Sequence, residues 1–207
     1  MPNILQRIAC HKLALRGVSS AGMAKAHRGN PAASLRVHQL YAVPVLLSGL
    51  ASLVLTEPEL KVLDSHFKNT VQCLQRLHQN TPRGVVFMLG GCLPGKAVLH
   101  MRQLSLFSMI CHLPDNPLNS HGKHILETAP PSAKSWFQQV RNLCSQYGLT
   151  NPLQLMSSPV AKEQFKAEVK GKIQNYWHAQ LVEETSKLRS LKYFKADQYS
   201  LIKPHYM

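Results

Sequence analysis

Residues 56–77 read TEPELKVLDSHFKNTVQCLQRL and contain one apolar stripe at helical spacing. Its members lie three or four residues apart and are Leu60, Leu63, Phe67, Val71, Leu74 and Leu77. That spacing predicts a helix of about 20 residues with one buried face. Thr56 stands at the N-cap position and Glu59 follows three residues later, which is the pattern of a capping box. We therefore expect a helix that begins at residue 57 and packs against other helices.

Further helical patterns flank this one, and alternating strand patterns are nearly absent. They cover residues 3–16, the stretch from 31 to about 50, and residues 82–90, 94–110, 132–147 and 159–186. Expected interruptions are a kink or break at Pro44 and stops at Gly90-Gly91 and Gly148. We predict an all-α fold, an irregular helical bundle of about six helices. It forms either one bundle or two subbundles that divide near residues 114–131.

Composition along the chain suggests five regions. They are a basic, partly disordered N-terminal segment (1–29), a helical bundle (30–113), a loop-rich connection (114–131), a C-terminal helical subbundle (132–190) and a tail rich in Tyr and Lys (191–207). The tail interleaves aromatic side chains with lysines. That composition is compatible with stacking on nucleic-acid bases and equally with packing on the bundle or with disorder.

The chain is strongly basic. Twenty-four Lys and Arg against ten Asp and Glu give a net charge of +14, and residues 1–56 contain no acid at all. Such a balance favours a polyanionic partner, with nucleic acid first and an anionic membrane second. The longest apolar run, residues 43–55, is much shorter than the roughly 20 residues that a membrane span needs. We therefore expect RNA or DNA as the partner, bound without sequence preference, and no membrane.

Six cations are candidate phosphate contacts. Lys61, Lys68 and Arg76 are spaced by seven and eight residues, so they would share one face of the helix predicted over residues 56–77. Arg83, Lys96 and Arg102 lie on the next two predicted helices. Contacts of this kind position a phosphate backbone but do not read bases.

Motifs for catalysis are missing from the sequence. Polymerases hold two divalent metals with clustered acids, whereas the three aspartates, Asp64, Asp115 and Asp197, are far apart. The sequence contains no Walker loop and no Gly-x-Ser-x-Gly elbow. Its five cysteines form no Cys-x-x-Cys pair, so we expect no metal site, no cofactor and free thiols. We predict that this chain is not an enzyme and that it is intracellular, in the nucleus or cytoplasm.

Four ordered segments carry a family resemblance. In residues 34–60 the matching positions are Tyr41, Pro44, Leu46, Leu47, Gly49 and Leu50. In LGGCLPGKAVLHMRQLSLFSMI (89–110) they are Leu93, Pro94, Leu99, His100, Arg102, Gln103 and Leu104. Residues 135–149 and 193–207 add two further segments. The series resembles the helical region that follows the reverse-transcriptase core in non-LTR (LINE-like) retrotransposon polyproteins, from near residue 28 to the end of the chain.

The resemblance implies a fragment of an RNA-directed DNA polymerase polyprotein. Family members carry an upstream palm with an aromatic-x-Asp-Asp motif, and often an endonuclease; neither is present here. The implied role of residues 30–113 is thumb-like or post-polymerase, holding a template–primer or the element's RNA, and no catalytic residue carries over. Two alternatives stay open. One is a helical interaction or scaffold module, and the other is a mitochondrial protein whose first 20 or so residues are a presequence.

Overall fold

The computed structural model describes residues 2–20, 30–113, 116–130 and 133–188, together with residues 191, 194, 199 and 201. These residues contain helices and no strand, which confirms the predicted all-α fold. The helices are α1 (Pro2–Ser20), α2 (Pro31–Val37), α3 (Val43–Leu47), α4 (Glu57–Leu74), α5 (Arg83–Gly90), α6 (Gly95–Cys111), α7 (Pro117–Thr128), α8 (Trp136–Tyr147), α9 (Pro152–Ser157) and α10 (Lys162–Ser186). A π-helical segment (His38–Ala42) joins α2 to α3, and a 3-10 turn covers Leu50–Ser52.

Packing groups the chain into two units, each assembled from separate stretches. Unit 1 comprises Met1–Ser48, Thr56–Lys96 and Trp177–Met207, and unit 2 comprises Gly49–Leu55 and Ala97–Tyr176. By contrast, each of the five regions predicted from composition is a single continuous stretch of the sequence.

In unit 1, α1 packs on α3, on the π-helical segment and on α4, and α4 packs on α2 and α5. The largest fully buried side chains there are Ile4, Leu35, Leu46, Leu47, Leu63, Phe67, Phe87 and Met88. Phe67 belongs to the stripe predicted on α4. Burial of these side chains supplies most of the stabilisation of unit 1, because isolated helices of this length do not persist in water.

Both ends of α4 follow from local chemistry. The predicted capping box is present: a carboxylate oxygen of Glu59 accepts the backbone N–H of Thr56 at 2.9 Å. The helix ends at Leu74, earlier than predicted, so Leu77 lies outside it. Arg76 adopts a left-handed conformation with φ 58°. The N–H groups of Arg76 and Leu77 then return to the carbonyls of Cys73 and Gln72, at 3.0 and 3.1 Å, in a Schellman motif.

Pro44 does not interrupt the helical backbone. Proline has no N–H to donate four residues back, and its ring crowds the carbonyl found there. The turn before it widens instead into the π-helical segment, where the N–H of Val43 donates to the carbonyl of His38. Helical backbone therefore continues from residue 31 to residue 47. The predicted break is replaced by a wider turn.

Unit 2 contains a helix that the sequence reading assigned to a loop. Residues 114–131 were predicted to be loop-rich, yet α7 covers Pro117–Thr128. The side chain of Asn116 accepts the N–H of Leu118 at 2.9 Å and so caps the helix, and Pro117 sits in its first turn. Gly122 lets α7 approach α8 and α9, since a Cβ there would lie 2.5 Å from the ring of Phe137.

Residues 49–55 are fixed to unit 2 by hydrogen bonds from its helices. The amide of Gln103 on α6 donates to the carbonyl of Leu53 at 3.2 Å. The indole N–H of Trp136 on α8 donates to the carbonyl of Ala51 at 2.8 Å. These bonds satisfy carbonyl groups in a stretch that has little helix of its own to pair them.

Within the described residues, no single helix is long and apolar enough to cross a bilayer, and α5 and α6 meet that requirement only when taken together. Most of the predicted tail, including Tyr193 and Tyr206 and the lysines around them, lies outside the described residues. In its described part, the rings of Phe194 and Tyr199 stack on each other at 4.8 Å. The carbonyl of Tyr199 also lies 2.8 Å from a ring nitrogen of His178.

The contact between α5 and the end of α10 makes a first prediction. A Cβ on Gly84 would lie 2.5 Å from a methyl carbon of Thr185 and 3.1 Å from the carbonyl oxygen of Leu181. Gly84→Ala should therefore lower the free energy of unfolding by about 1–3 kcal/mol, measured by urea denaturation. Gly171, inside α10, has open space around it, so Gly171→Ala should raise stability by up to about 1 kcal/mol. Equal effects of the two changes would contradict the packing.

Candidate functional site

The structure divides the six predicted phosphate contacts between the two units. Lys61, Lys68, Arg76, Arg83 and Lys96 belong to unit 1, and Arg102 belongs to unit 2. Lys61 and Lys68 share a face of α4 as predicted, with Lys61 exposed and Lys68 half-buried. Neither has a carboxylate partner among the described residues. These two lysines are the part of the predicted site that stays open to a polyanion.

The prediction that Arg76 lies on the same helical face is wrong. α4 ends two residues earlier, and the left-handed backbone of Arg76 turns the chain away from the helix axis. Arg102, on α6, is partly buried, and burial lowers its pKa. Lys96 pairs with Glu57 at 3.3 Å in an exposed ion pair, which contributes little to stability.

Arg83 is occupied inside unit 1 by carboxylates. Its Nε donates to Asp64 at 2.9 Å, and one terminal nitrogen donates to both oxygens of Glu184, at 2.8 and 2.9 Å. The guanidinium also lies 5.3 Å from the ring centre of Phe87 and 5.5 Å from that of Trp177. Planar stacking together with two carboxylate partners is a structural use of arginine. Such a guanidinium would have to break these bonds before it could meet a phosphate.

The clamp around Arg83 gives a second prediction. Arg83→Gln should lower the free energy of unfolding by about 1–2 kcal/mol, because it strands Asp64 and Glu184 without their cation while solvent screens part of the loss. Lys187→Gln removes the same charge from an exposed ion pair with Glu183, and should change stability by less than about 0.5 kcal/mol. Thermal and urea unfolding measure both variants. A loss for Arg83→Gln no larger than for Lys187→Gln would refute the clamp.

A lysine row on α10 was outside the predicted site. Lys162, Lys166 and Lys170 are all exposed and lie four residues apart, so they follow one face of the helix in unit 2. Three charges at this spacing cover about 12 Å of helix length. Their regular spacing was readable from the sequence, but only the structure shows that the face they share is exposed.

Three histidines form a hydrogen-bonded chain in the interior of unit 1. His11 on α1 lies between His38 of the π-helical segment and His66 of α4. Its Nδ1 is 2.9 Å from Nε2 of His66, and its Nε2 is 3.1 Å from Nε2 of His38. His11 is completely buried and His38 is 2% exposed. The residues are 27 and 55 positions apart in sequence, so no local motif could have identified them.

Burial favours neutral imidazoles throughout this histidine chain. A neutral ring has one donor and one acceptor nitrogen, so His11 donates to one neighbour and accepts from the other. Burial, with His66 adding to the effect, lowers the pKa of His11 to about 4. Burial, followed by His11 and His66, lowers the pKa of His38 to about 3. Burial and then Lys12 lower the pKa of His66.

This chain of histidines is not arranged as a metal site. His11 turns a different nitrogen toward each neighbour, so lone pairs from the three rings do not converge on one point. Within the described ranges, no group of three His, Cys, Asp or Glu side chains is placed to hold a metal ion. Nδ1 of His38 is buried and has no hydrogen-bond partner there.

The histidine chain gives a third prediction. The pKa values of His11 and His38 lie below the 6.5 of an unfolded histidine, so the unfolded chain binds more protons and stability falls as the pH drops below 6.5. At pH 5 the two groups should reduce the free energy of unfolding by about 2–4 kcal/mol relative to pH 7. Urea unfolding across this range measures the loss.

The slope of the free energy of unfolding against pH identifies which groups take up protons on unfolding. His38→Leu should reduce the pH dependence between pH 4.5 and 6.5 by about one proton, whatever its effect on stability itself. His121→Gln, at an exposed position, should leave the slope as it is. A wild-type slope in His38→Leu would show that these imidazoles do not titrate on unfolding.

Three of the five thiols are buried in the core. Cys92, Cys111 and Cys144 are buried, and burial raises the pKa of each to about 12. A thiol with so high a pKa is a poor nucleophile at neutral pH. Cys111 lines a small apolar cleft in unit 2 with Phe107 and Phe165, and its void of about 10 Å³ has room for one water.

Comparison with known proteins adds no further constraint: no family model, no curated protein and no solved structure matches the chain.

Proposed function

We propose that this chain is a retrotransposon-derived helical module that binds RNA or DNA through charge. In this proposal it derives from the region that follows the reverse-transcriptase core, and it lacks the catalytic palm and the endonuclease. Two lines support it: the ordered motif series in residues 34–60 and 89–110, and the distribution of charge in unit 1. The charge distribution is the observation that supports nucleic-acid binding, because it does not depend on the origin of the chain.

Acids in unit 1 do not neutralise its cations. The unit contains sixteen Lys and Arg and six Asp and Glu. All five of its described acids have partners: Asp64 and Glu184 bond Arg83, Glu57 bonds Lys96, Glu183 bonds Lys187, and Glu59 caps α4 through Thr56. Through these contacts the acids engage three of the sixteen Lys and Arg side chains of unit 1. The remaining positive charge favours a partner with regularly spaced negative charge, such as a phosphate backbone.

Unit 2 carries a smaller excess of the same sign. It contains eight Lys and Arg and four Asp and Glu, and the lysine row on α10 is its most regular exposed feature. Lysine ammonium groups act as point charges on phosphates and do not hold the fork geometry that reads guanine. We therefore expect binding that is sensitive to salt and tolerant of sequence.

The proposal makes a fourth prediction, tested by fluorescence anisotropy with labelled duplex and single-stranded RNA and DNA across a salt series. On duplex DNA each lysine that contacts a phosphate should contribute about −0.9 to the slope of log affinity against log salt. Lys61→Gln/Lys68→Gln should reduce the magnitude of the slope by up to about two units. Lys162→Gln/Lys166→Gln/Lys170→Gln tests unit 2 in the same way.

Lys187→Gln is the matched control, because that lysine is exposed but paired with Glu183. It should change the slope less than either set. A folded protein, verified by circular dichroism, that binds none of the four nucleic acids would overturn the proposal. If neither lysine set changes the salt slope, the nucleic acid does not bind at these faces of α4 and α10.

A further inference from the structure

α1 presents an unusual outer face to solvent. Its inner face buries Ile4, Ile8 and His11 against unit 1. Leu5 and Leu13, eight residues apart, point away from that face and are 58% and 63% exposed. Helical spacing places the exposed side chains of Ala9, Lys12 and Arg16 on the same arc. The outer face thus combines two protruding leucines with two cations.

This apolar and basic face extends onto α4. Ile4, Leu5, Glu59 and Val62 line a shallow groove between α1 and α4, and Val62 is itself an exposed apolar residue. Glu59 is the one acid at this groove, and its carboxylate already accepts hydrogen bonds from Thr56. The sequence contains no acid before Glu57.

We propose that the outer face of α1 docks on an anionic lipid surface. Burying an exposed leucine lowers the free energy only when the partner presents an apolar surface, and a phosphate backbone presents none. Lysine and arginine beside them match the negative headgroups of the cytoplasmic leaflet. The helix lies in the interface with its leucines among the acyl chains, and no membrane span is involved. Two leucines and two cations make this attachment weak and reversible.

The surface is distinct from the proposed nucleic-acid contacts in chemistry. The exposed neighbours of Lys61 and Lys68 on α4 include Ser65 and Asn69, and those of the lysine row on α10 include Glu163 and Gln164. α1 instead intersperses cations with leucine and alanine. The lipid surface and the nucleic acid can therefore be tested with separate variants of the full chain.

The experiment is co-sedimentation of the full chain with phosphatidylcholine vesicles, with and without phosphatidylserine. We expect partition onto the phosphatidylserine vesicles, reduced by about tenfold for each leucine replaced in Leu5→Gln/Leu13→Gln. Arg16→Gln should reduce it by about fivefold. The matched control is Leu113→Gln/Leu118→Gln, because each of those leucines is 52% exposed in unit 2. It should partition as the wild type does.

Three outcomes would overturn the proposal: no partition onto anionic vesicles, equal partition by both leucine double variants, or loss through Arg16→Gln alone. The last would show simple charge attraction. The same variants are measured by anisotropy with RNA, where Leu5→Gln/Leu13→Gln should bind as the wild type does. Loss of RNA affinity in that variant, with no effect on vesicles, would assign the face to nucleic acid instead. Failure of RNA binding in every variant concerns the proposed function and leaves the lipid result intact.

Discussion

The carboxylate of Asp64 is the constraint on which unit 1 most depends. One oxygen accepts from the guanidinium of Arg83 at 2.9 Å, and the other lies 3.4 Å from the backbone N–H of Lys96 in the first turn of α6. A single side chain on α4 therefore fixes the start of α5 and satisfies a free N–H at the next helix. Through Arg83 the arrangement extends to Glu184 and the ring of Trp177. Removing one member leaves a partly buried charge without its partner, which costs more than the pair contributes.

This arrangement explains why Arg83, unlike Lys61 and Lys68, is held by carboxylates. Sequence spacing showed that Lys61 and Lys68 share a face, because both lie within one helix. It gave no sign that Arg83 is bound, because its carboxylates are 19 and 101 residues away. The helical face predicted for Arg76 is wrong for a different reason. The apolar stripe of α4 continues to Leu77 in the sequence, but a non-glycine residue occupies the left-handed position that ends the helix. Left-handed caps are usually glycine, so arginine there carries no sequence signal.

The fold was more predictable than the site, and the reason is that helix starts are local. Thr56 with Glu59 predicted the start of α4. The side chain of Asn30 accepts the N–H of Ala32 at 2.8 Å and so caps α2, with Pro31 in its first turn. Asn116-Pro117 has the same chemistry and starts α7 in the same way. The prolines at 114, 117, 130 and 131 favour a loop, and the apolar stripe between them is weak. That stripe is weak because Gly122 faces Phe137 and Met156, so close approach replaces a large side chain. Such packing is a property of three helices and cannot be read from one.

The histidine chain is an uncharged polar cluster inside unit 1 of a strongly positive protein. It joins α1 to the π-helical segment and to α4, and burial lowers the pKa of each ring. Lys12 on α1 lowers the pKa of His66 on α4 in addition to burial, so this cation helps to keep that imidazole uncharged. Lys12 and His66 are thus coupled across the contact between α1 and α4. A polyanion that neutralised Lys12 would raise the pKa of His66, and binding at the surface would then change how readily the buried chain of rings accepts a proton.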